Sequence, residues 1–206
     1  MHKLYIYITI AIPLMVVLAV QLIPETKPVP TIPVETNSVR AEFVSQLLIT
    51  CRAEMSDVRR SILTDELIRV TDRYFRKLED KQSFMYLICI ESKFDNLRKS
   101  KAGAVGYTQV MPKYVQSFSD ACGLGKLAKG DETDPLINLQ LGACQFATLL
   151  TKFEGNVALA LAGYNSGPDS NTTKKLGKLD DSGHPETNGY LAKYLVLTEQ
   201  MHGGVK

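Results

Sequence analysis

Glu91 is the only carboxylate in the run Phe84-Met85-Tyr86-Leu87-Ile88-Cys89-Ile90-Glu91-Ser92-Lys93-Phe94, where the pattern otherwise asks for an apolar side chain. Read as a helix, Phe84, Leu87, Ile88 and Glu91 fall at i, i+3, i+4 and i+7, on one face. A carboxylate on an apolar face loses solvent, which disfavours its charged form and moves its pKa toward the range of a general acid. The competing reading is a carboxylate at the end of an amphipathic helix, reaching water or paired with Lys93, since structural ion pairs also perturb titration. Asp95, four residues on, would share the face of Glu91 if the helix continued. Asp95-Asn96 is turn-prone, so a helix end or a solvated side chain is the better reading of it.

The segment from Asp95 to Pro112 is polar and then glycine-bearing, and reads as a loop between two helices. Gly103 and Gly106 would let its backbone approach a neighbour closely. Ser100 offers a hydroxyl and Gln109 an amide with both donor and acceptor. Met111 suits either a binding surface or the core.

The elements around these residues read as helices. Ser38 is a plausible N-cap for a helix through Phe43, Leu47 and Leu48. A second helical pattern runs from about Ser56 to Leu78, with Val58, Ile62, Leu63, Leu67, Ile68 and Phe75 as its packing stripe. Pro112 suits the first turn of a helix carrying Val115 and Phe118, with Gly123 as its stop. Asp134-Pro135 reads as N-cap and first turn of the next, whose stripe is Leu136, Leu139, Ala143, Phe146 and Leu150. Asn156 caps a helix from Val157 to Tyr164 that breaks at Asn165-Ser166-Gly167-Pro168. A last helix starts at about Thr187 and carries Tyr190, Tyr194 and Leu197. No strand pattern or internal repeat appears, and the fold class is mainly α.

The N-terminus differs from the rest. Residues 4–24 carry no charged side chain, with His2 and Lys3 before them and Glu25 and Lys27 after. About 20 apolar residues is the length of a membrane-spanning helix, longer than the usual core of a signal peptide. Val17-Leu18-Ala19 and Pro13 favour the competing reading, a cleaved signal. Either sends the rest of the chain across a membrane. Pro24, Pro28, Pro30 and Pro33 then make an extended spacer. The expected organisation is a transmembrane anchor or signal segment over 1–24, a Pro-rich linker over 25–37 and a helical domain over 38–206. Within that domain, a helical layer (38–79) precedes a catalytic core (80–206).

The 206 residues, 45% hydrophobic and 22% charged, support one globular core with appendages. A net charge of +2 argues against a dedicated nucleic-acid binder. Cys51, Cys89, Cys122 and Cys144 form no CxxC pair and the three His are scattered, so neither a metal site nor a cofactor is expected. In an exported chain the four cysteines permit disulfides in three connectivities, which spacing does not decide; buried free thiols are the alternative.

Four segments, ESKF from Glu91, GAVGYTQVMP from Gly103, AGYNSGP from Ala162 and PETNGY from Pro185, occur in an order and at separations that resemble the lytic transglycosylase domain of the soluble-transglycosylase (SLT) type, a lysozyme-like fold related to goose-type lysozyme. The resemblance covers about 100 residues and implies a lyase acting on peptidoglycan glycan strands. Glu91 would be its single acid and then base. It would protonate the oxygen between N-acetylmuramic acid and N-acetylglucosamine, then take the proton of the C6 hydroxyl as that oxygen attacks C1, leaving a 1,6-anhydromuramoyl end. Ordinary glycosidases use two carboxylates; here the family points to the substrate's N-acetyl group in place of the second.

The resemblance also implies that Ser100 holds the sugar or the glutamate, and that Gln109 and Met111 line a sugar subsite. Tyr164, followed by Asn165, would lie with its phenol beside the carboxylate, and Tyr190 would wall the cleft. The sequence departs from the family at Tyr107-Thr108 for Leu-Met, Gly163 for Ala and Asn188 for a frequent Arg, which bears on subsite shape rather than on the acid/base. The implied setting is periplasmic, at the inner membrane through the N-terminal segment, a placement that would also suit service to an envelope-spanning machine. A hydrolase of the same fold and a non-catalytic glycan-binding component are the two rival readings.

Overall fold

A computed structural model describes residues 37–177 and 185–203, and these are helical with no strand longer than an isolated bridge. The expected N-terminal anchor or signal and most of the linker lie outside the described residues. Among the described residues no helix is long and apolar enough to cross a membrane. The helices are α1 (Asn37–Cys51), α2 (Asp57–Tyr74), α3 (Leu78–Ser92), α4 (Val115–Cys122), α5 (Pro135–Lys152), α6 (Val157–Ser166), α7 (Asn171–Gly177) and α8 (Pro185–His202), with short 3₁₀ turns at Pro112–Tyr114 and Asp131–Thr133.

Several ends form as capping chemistry requires. Asp134 accepts from the backbone N–H groups of Leu136 and Ile137 at 2.9 Å, and Asn156 accepts from Leu159 at 3.1 Å. Gly123, with φ of 65°, closes α4 in the left-handed conformation that costs glycine nothing.

α3 is the central element. Phe84, Leu87 and Ile88 are fully buried, and so is Tyr86 on another side of the helix, because neighbours cover α3 nearly all round. Aromatic rings carry the packing outward from it. Phe84 meets Phe75 at 5.4 Å and Phe146 of α5 at 6.2 Å, and Phe146 in turn meets Tyr164 of α6 at 6.5 Å. On the other side α8 runs along α3: Ser83 Oγ and Tyr194 Oη lie 2.9 Å apart, and the Tyr86 and Tyr194 rings meet edge-on at 5.8 Å.

Three expectations need correction. The pattern over 56–78 is two elements rather than one, because Phe75 turns extended (φ −126°, ψ 137°) to bury its ring, and α3 restarts at Leu78. Val58 and Ile62 are not part of the packing stripe; they are 73% and 56% exposed. At 100° per residue Val58 sits on the far side of α2 from the buried Leu63, Leu67 and Val70, and Ile62 on the flank of that stripe. α7 had no counterpart in the pattern reading, where Asn165–Pro168 marked only a break. It is held by hydroxyls: Thr173 Oγ1 donates to the Gly167 carbonyl at 2.9 Å, and Ser170 Oγ accepts from the Thr173 N–H at 3.1 Å.

The cysteines resolve into two disulfides, Cys51–Cys89 joining α1 to α3 and Cys122–Cys144 joining α4 to α5. The free-thiol alternative for Cys89 does not hold.

Candidate active site

Glu91 is the penultimate residue of α3. The helix stops after Ser92 because Lys93 takes a left-handed conformation (φ 55°) and returns its N–H to the Cys89 carbonyl at 2.9 Å. This leaves Glu91 partly covered at the rim of the core, its Oε1 accepting the phenol hydrogen of Tyr190 at 2.9 Å. Burial pushes the Glu91 carboxyl up to about 7, against the opposing pull of the Tyr190 hydrogen bond and the Lys193 ammonium, with the Glu186 carboxylate adding to the rise. All three of those side chains belong to the first half of α8, so α8 sets the electrostatics of a residue on α3.

Both phenols near Glu91 stay protonated. Burial first, then the charge of Glu91, raises Tyr190 well above the usual phenol range and raises Tyr164 as well. Tyr190 is therefore available as a donor to the carboxylate. The Tyr164 hydroxyl instead donates to the Thr108 carbonyl at 2.8 Å. The phenol hydrogen-bonded to Glu91 is thus that of Tyr190, for which the family resemblance implied a cleft wall, while Tyr164 ties α6 to the loop.

That loop follows α3. Its backbone folds on itself, with Ser100 N–H to the Ala104 carbonyl at 2.9 Å and Val105 paired with Val110 at 3.0 Å in both directions. The Ser100 hydroxyl closes the same turn, accepting from the Ala104 N–H at 3.0 Å. Gln109 holds φ at 52° and donates its amide hydrogens to the carbonyls of Arg98 (3.1 Å) and Gly106 (2.9 Å). Its donors are spent on loop shape, which leaves the amide oxygen as the free face. A left-handed glutamine costs about 1–2 kcal/mol, the kind of strain that persists where neighbours over-determine a conformation.

Gln109, Met111, Tyr164 and Asn165 line one cleft of about 420 Å³, together with Tyr114, Phe118 and Gln145. Asn165 also braces α8, its Oδ1 accepting from Thr187 Oγ1 at 3.1 Å. Asp95 is engaged elsewhere: Arg52 lies 3.3 Å from it, and although burial tends to raise its pKa, the Leu97 N–H and Arg52 outweigh that and hold the carboxyl below the usual range. Lys93 does not pair with Glu91 in an ion pair. Among the described residues no group of histidine, cysteine and carboxylate side chains could hold a metal ion.

Asn138 escaped the sequence reading. Fully buried on α5, its Oδ1 accepts from the Thr108 N–H at 2.9 Å and its Nδ2 donates to the Val105 (3.0 Å) and Glu132 (2.9 Å) carbonyls. Two glycines make room for this clamp. A Cβ on Gly106 would come within 2.4 Å of the Asn138 amide, and one on Gly142 within 2.4 Å of Thr108. The available signal was an asparagine between the apolar Ile137 and Leu139 of α5, uninformative until the loop it grips is known.

A family model described as the transglycosylase SLT domain matches residues 75–186. Among solved structures, an inactive mutant of the lytic transglycosylase Slt from Pseudomonas aeruginosa aligns with a TM-score of 0.57 at 20% identity, covering 82% of this chain and 31% of that one. The 70 kDa soluble lytic transglycosylase from Escherichia coli aligns with a TM-score of 0.60 at 19% identity over 80% of this chain and 30% of that one. The complex of the 70 kDa soluble lytic transglycosylase with bulgecin A gives 0.60 at 19% over 82% and 31%. This chain therefore corresponds to about a third of those proteins, and the likeness to them is one of fold. Because the family model spans more than half of the sequence, including Glu91, the loop after it and α4 to α7, the chain belongs to the transglycosylase SLT domain family.

Proposed function

We propose that this protein is a peptidoglycan lytic transglycosylase that cleaves the β-1,4 bond between N-acetylmuramic acid and N-acetylglucosamine, with Glu91 as acid and then base. The observation that carries the reading is a single partly buried carboxyl raised to about 7 and hydrogen-bonded by Tyr190. A group whose pKa lies near the working pH can donate a proton in one step and recover one in the next.

Protonated Glu91 gives its proton to the bridging oxygen, and the bond to C1 of the muramoyl sugar breaks. The carboxylate formed is stabilised by the Tyr190 phenol and the Lys193 charge, both of which favour the ionised form. It then takes the hydrogen of the C6 hydroxyl as that oxygen closes on C1, and Glu91 ends protonated, ready for another cycle. Gln109, Met111, Tyr164 and Asn165 form the cleft that receives the sugars, while Ser100 acts by shaping the loop. With Asp95 held by Arg52, the substrate's own N-acetyl group supplies the stabilisation that a second carboxylate gives in ordinary glycosidases.

The two disulfides suit an oxidising compartment outside the cytoplasm. Retention there through residues 1–24, at the inner membrane, goes with this reading, and fractionation of cells expressing the full chain tests it. The activity is tested by mass spectrometry of sacculi digested with the full chain. Anhydromuramoyl ends that vanish with Glu91→Gln support the proposal. Reducing ends would assign a hydrolase, and glycan binding without either product a non-catalytic envelope component.

A further inference from the structure

The Cys51–Cys89 disulfide borders a surface cavity of about 450 Å³ that shares no lining residue with the cleft of Gln109 and Tyr164. Both cysteines line it, with Ile90, Lys93, Lys193 and Val196 among the other walls. Cys51 is partly exposed and Cys89 is 7% exposed, so Cys51 is the sulfur an incoming reagent meets first. Cys122 is also partly exposed and Cys144 is 9% exposed, and the case for Cys51–Cys89 therefore rests on the cavity it borders and the two lysines on its wall. Thiol–disulfide exchange needs such access, and it needs a leaving thiolate that its surroundings tolerate. Cys51 ends α1, and Cys89 lies in the last turn of α3. The partial negative charge at helix C-termini opposes a thiolate. Lys93 and Lys193, on the wall of the same cavity, supply the positive charge that offsets it.

We propose that Cys51–Cys89 is a thiol–disulfide exchange site, opened ahead of Cys122–Cys144 by a dithiol reductant that enters this cavity. One thiolate of the reductant attacks Cys51 Sγ. The S–S bond breaks with its electron pair leaving on Cys89 Sγ, and a mixed disulfide forms on Cys51. The reductant's second thiolate then attacks its own sulfur in that mixed disulfide, releasing Cys51 and closing the reductant to its disulfide. Two electrons pass from the dithiol to the protein, and the two thiol protons end on Cys51 and Cys89.

The consequence for the chain is local. The α1–α3 crosslink is lost two residues before Glu91, while the α4–α5 crosslink remains. The site does not depend on the glycan reading, and its test needs no glycan.

The oxidised full chain is treated with dithiothreitol under native conditions, quenched with iodoacetamide at intervals and mapped by mass spectrometry. Cys51 and Cys89 are expected to become alkylated at least about tenfold faster than Cys122 and Cys144, with the helical circular dichroism retained. Lys93→Gln and Lys193→Gln are expected to slow the opening of Cys51–Cys89 several-fold without changing the rate at Cys122–Cys144. Simultaneous labelling of all four cysteines, earlier opening of Cys122–Cys144, or no slowing in either lysine variant would overturn the proposal.

Discussion

The Tyr190 phenol on α8 donates to Glu91 Oε1 on α3 at 2.9 Å, ninety-nine residues apart in sequence. The bond favours the ionised carboxylate, yet the carboxyl still titrates near 7, so burial outweighs it. Tyr190→Phe should therefore raise the Glu91 pKa further and move the pH optimum for glycan cleavage to higher pH, with a fall in turnover at neutral pH. NMR titration of the labelled carboxyl reads the shift directly; an unchanged or lowered value would refute it.

Under the proposed mechanism, Glu91→Gln removes the proton donor while keeping shape. Turnover of purified sacculi should fall about 10²–10⁴-fold, with binding of glycan fragments retained. Retained turnover would remove Glu91 from the mechanism.

Stability should carry the signature of the same carboxyl. Its pKa is raised from 4.5 to about 7 in the folded chain, so between those values the folded state binds more protons than the unfolded one. The linked stability is fully present below about pH 4.5 and is lost as pH rises through 7. The shift corresponds to about 3 kcal/mol at most. Glu91→Gln should thus match the parent chain at pH 4 and exceed it at pH 8, measured by urea denaturation at both values. A gap that does not grow with pH would contradict the assignment.

The Asn138 clamp makes a packing prediction. Gly142→Ala drives a Cβ into Thr108, and Gly106→Ala drives one into Asn138 from a φ of 78°. Each should cost about 1–3 kcal/mol. Asn138→Ala leaves the Thr108 N–H and the carbonyls of Val105 and Glu132 without their partner and should cost a similar amount. Since the clamp shapes the loop bearing Gln109, glycan KM should rise in Asn138→Ala while the pH dependence of kcat stays put. Denaturant midpoints and steady-state kinetics on soluble glycan fragments separate the two effects.

Removing Cys122–Cys144, which closes a sequence separation of 22, should lower stability by about 3 kcal/mol through the larger entropy of the unfolded chain. Calorimetry of the Cys122→Ala, Cys144→Ala double variant under oxidising conditions measures it.

The sequence by itself determined the local elements and singled out the candidate residues for chemistry. Helical periodicity, the caps at Asp134 and Asn156 and the stop at Gly123 are short-range effects, legible because they act within a turn. Glu91 was visible as a polar intrusion in an apolar stripe, and the four family segments gave its neighbours. Where helix faces had to be ranked, periodicity misplaced Val58 and Ile62, since which side of α2 meets the core depends on the partner that covers it.

Only the tertiary structure decided who touches whom. That Tyr190 rather than Tyr164 hydrogen-bonds Glu91, that Cys51 pairs with Cys89, and that Asn138 grips a loop thirty residues away all follow from how α1, α5, α6 and α8 settle around α3. The raised pKa of Glu91 belongs to the same class. A carboxyl in a helix end has no fixed proton affinity until burial and the charges of a distant helix are set, and those are properties of the packed chain.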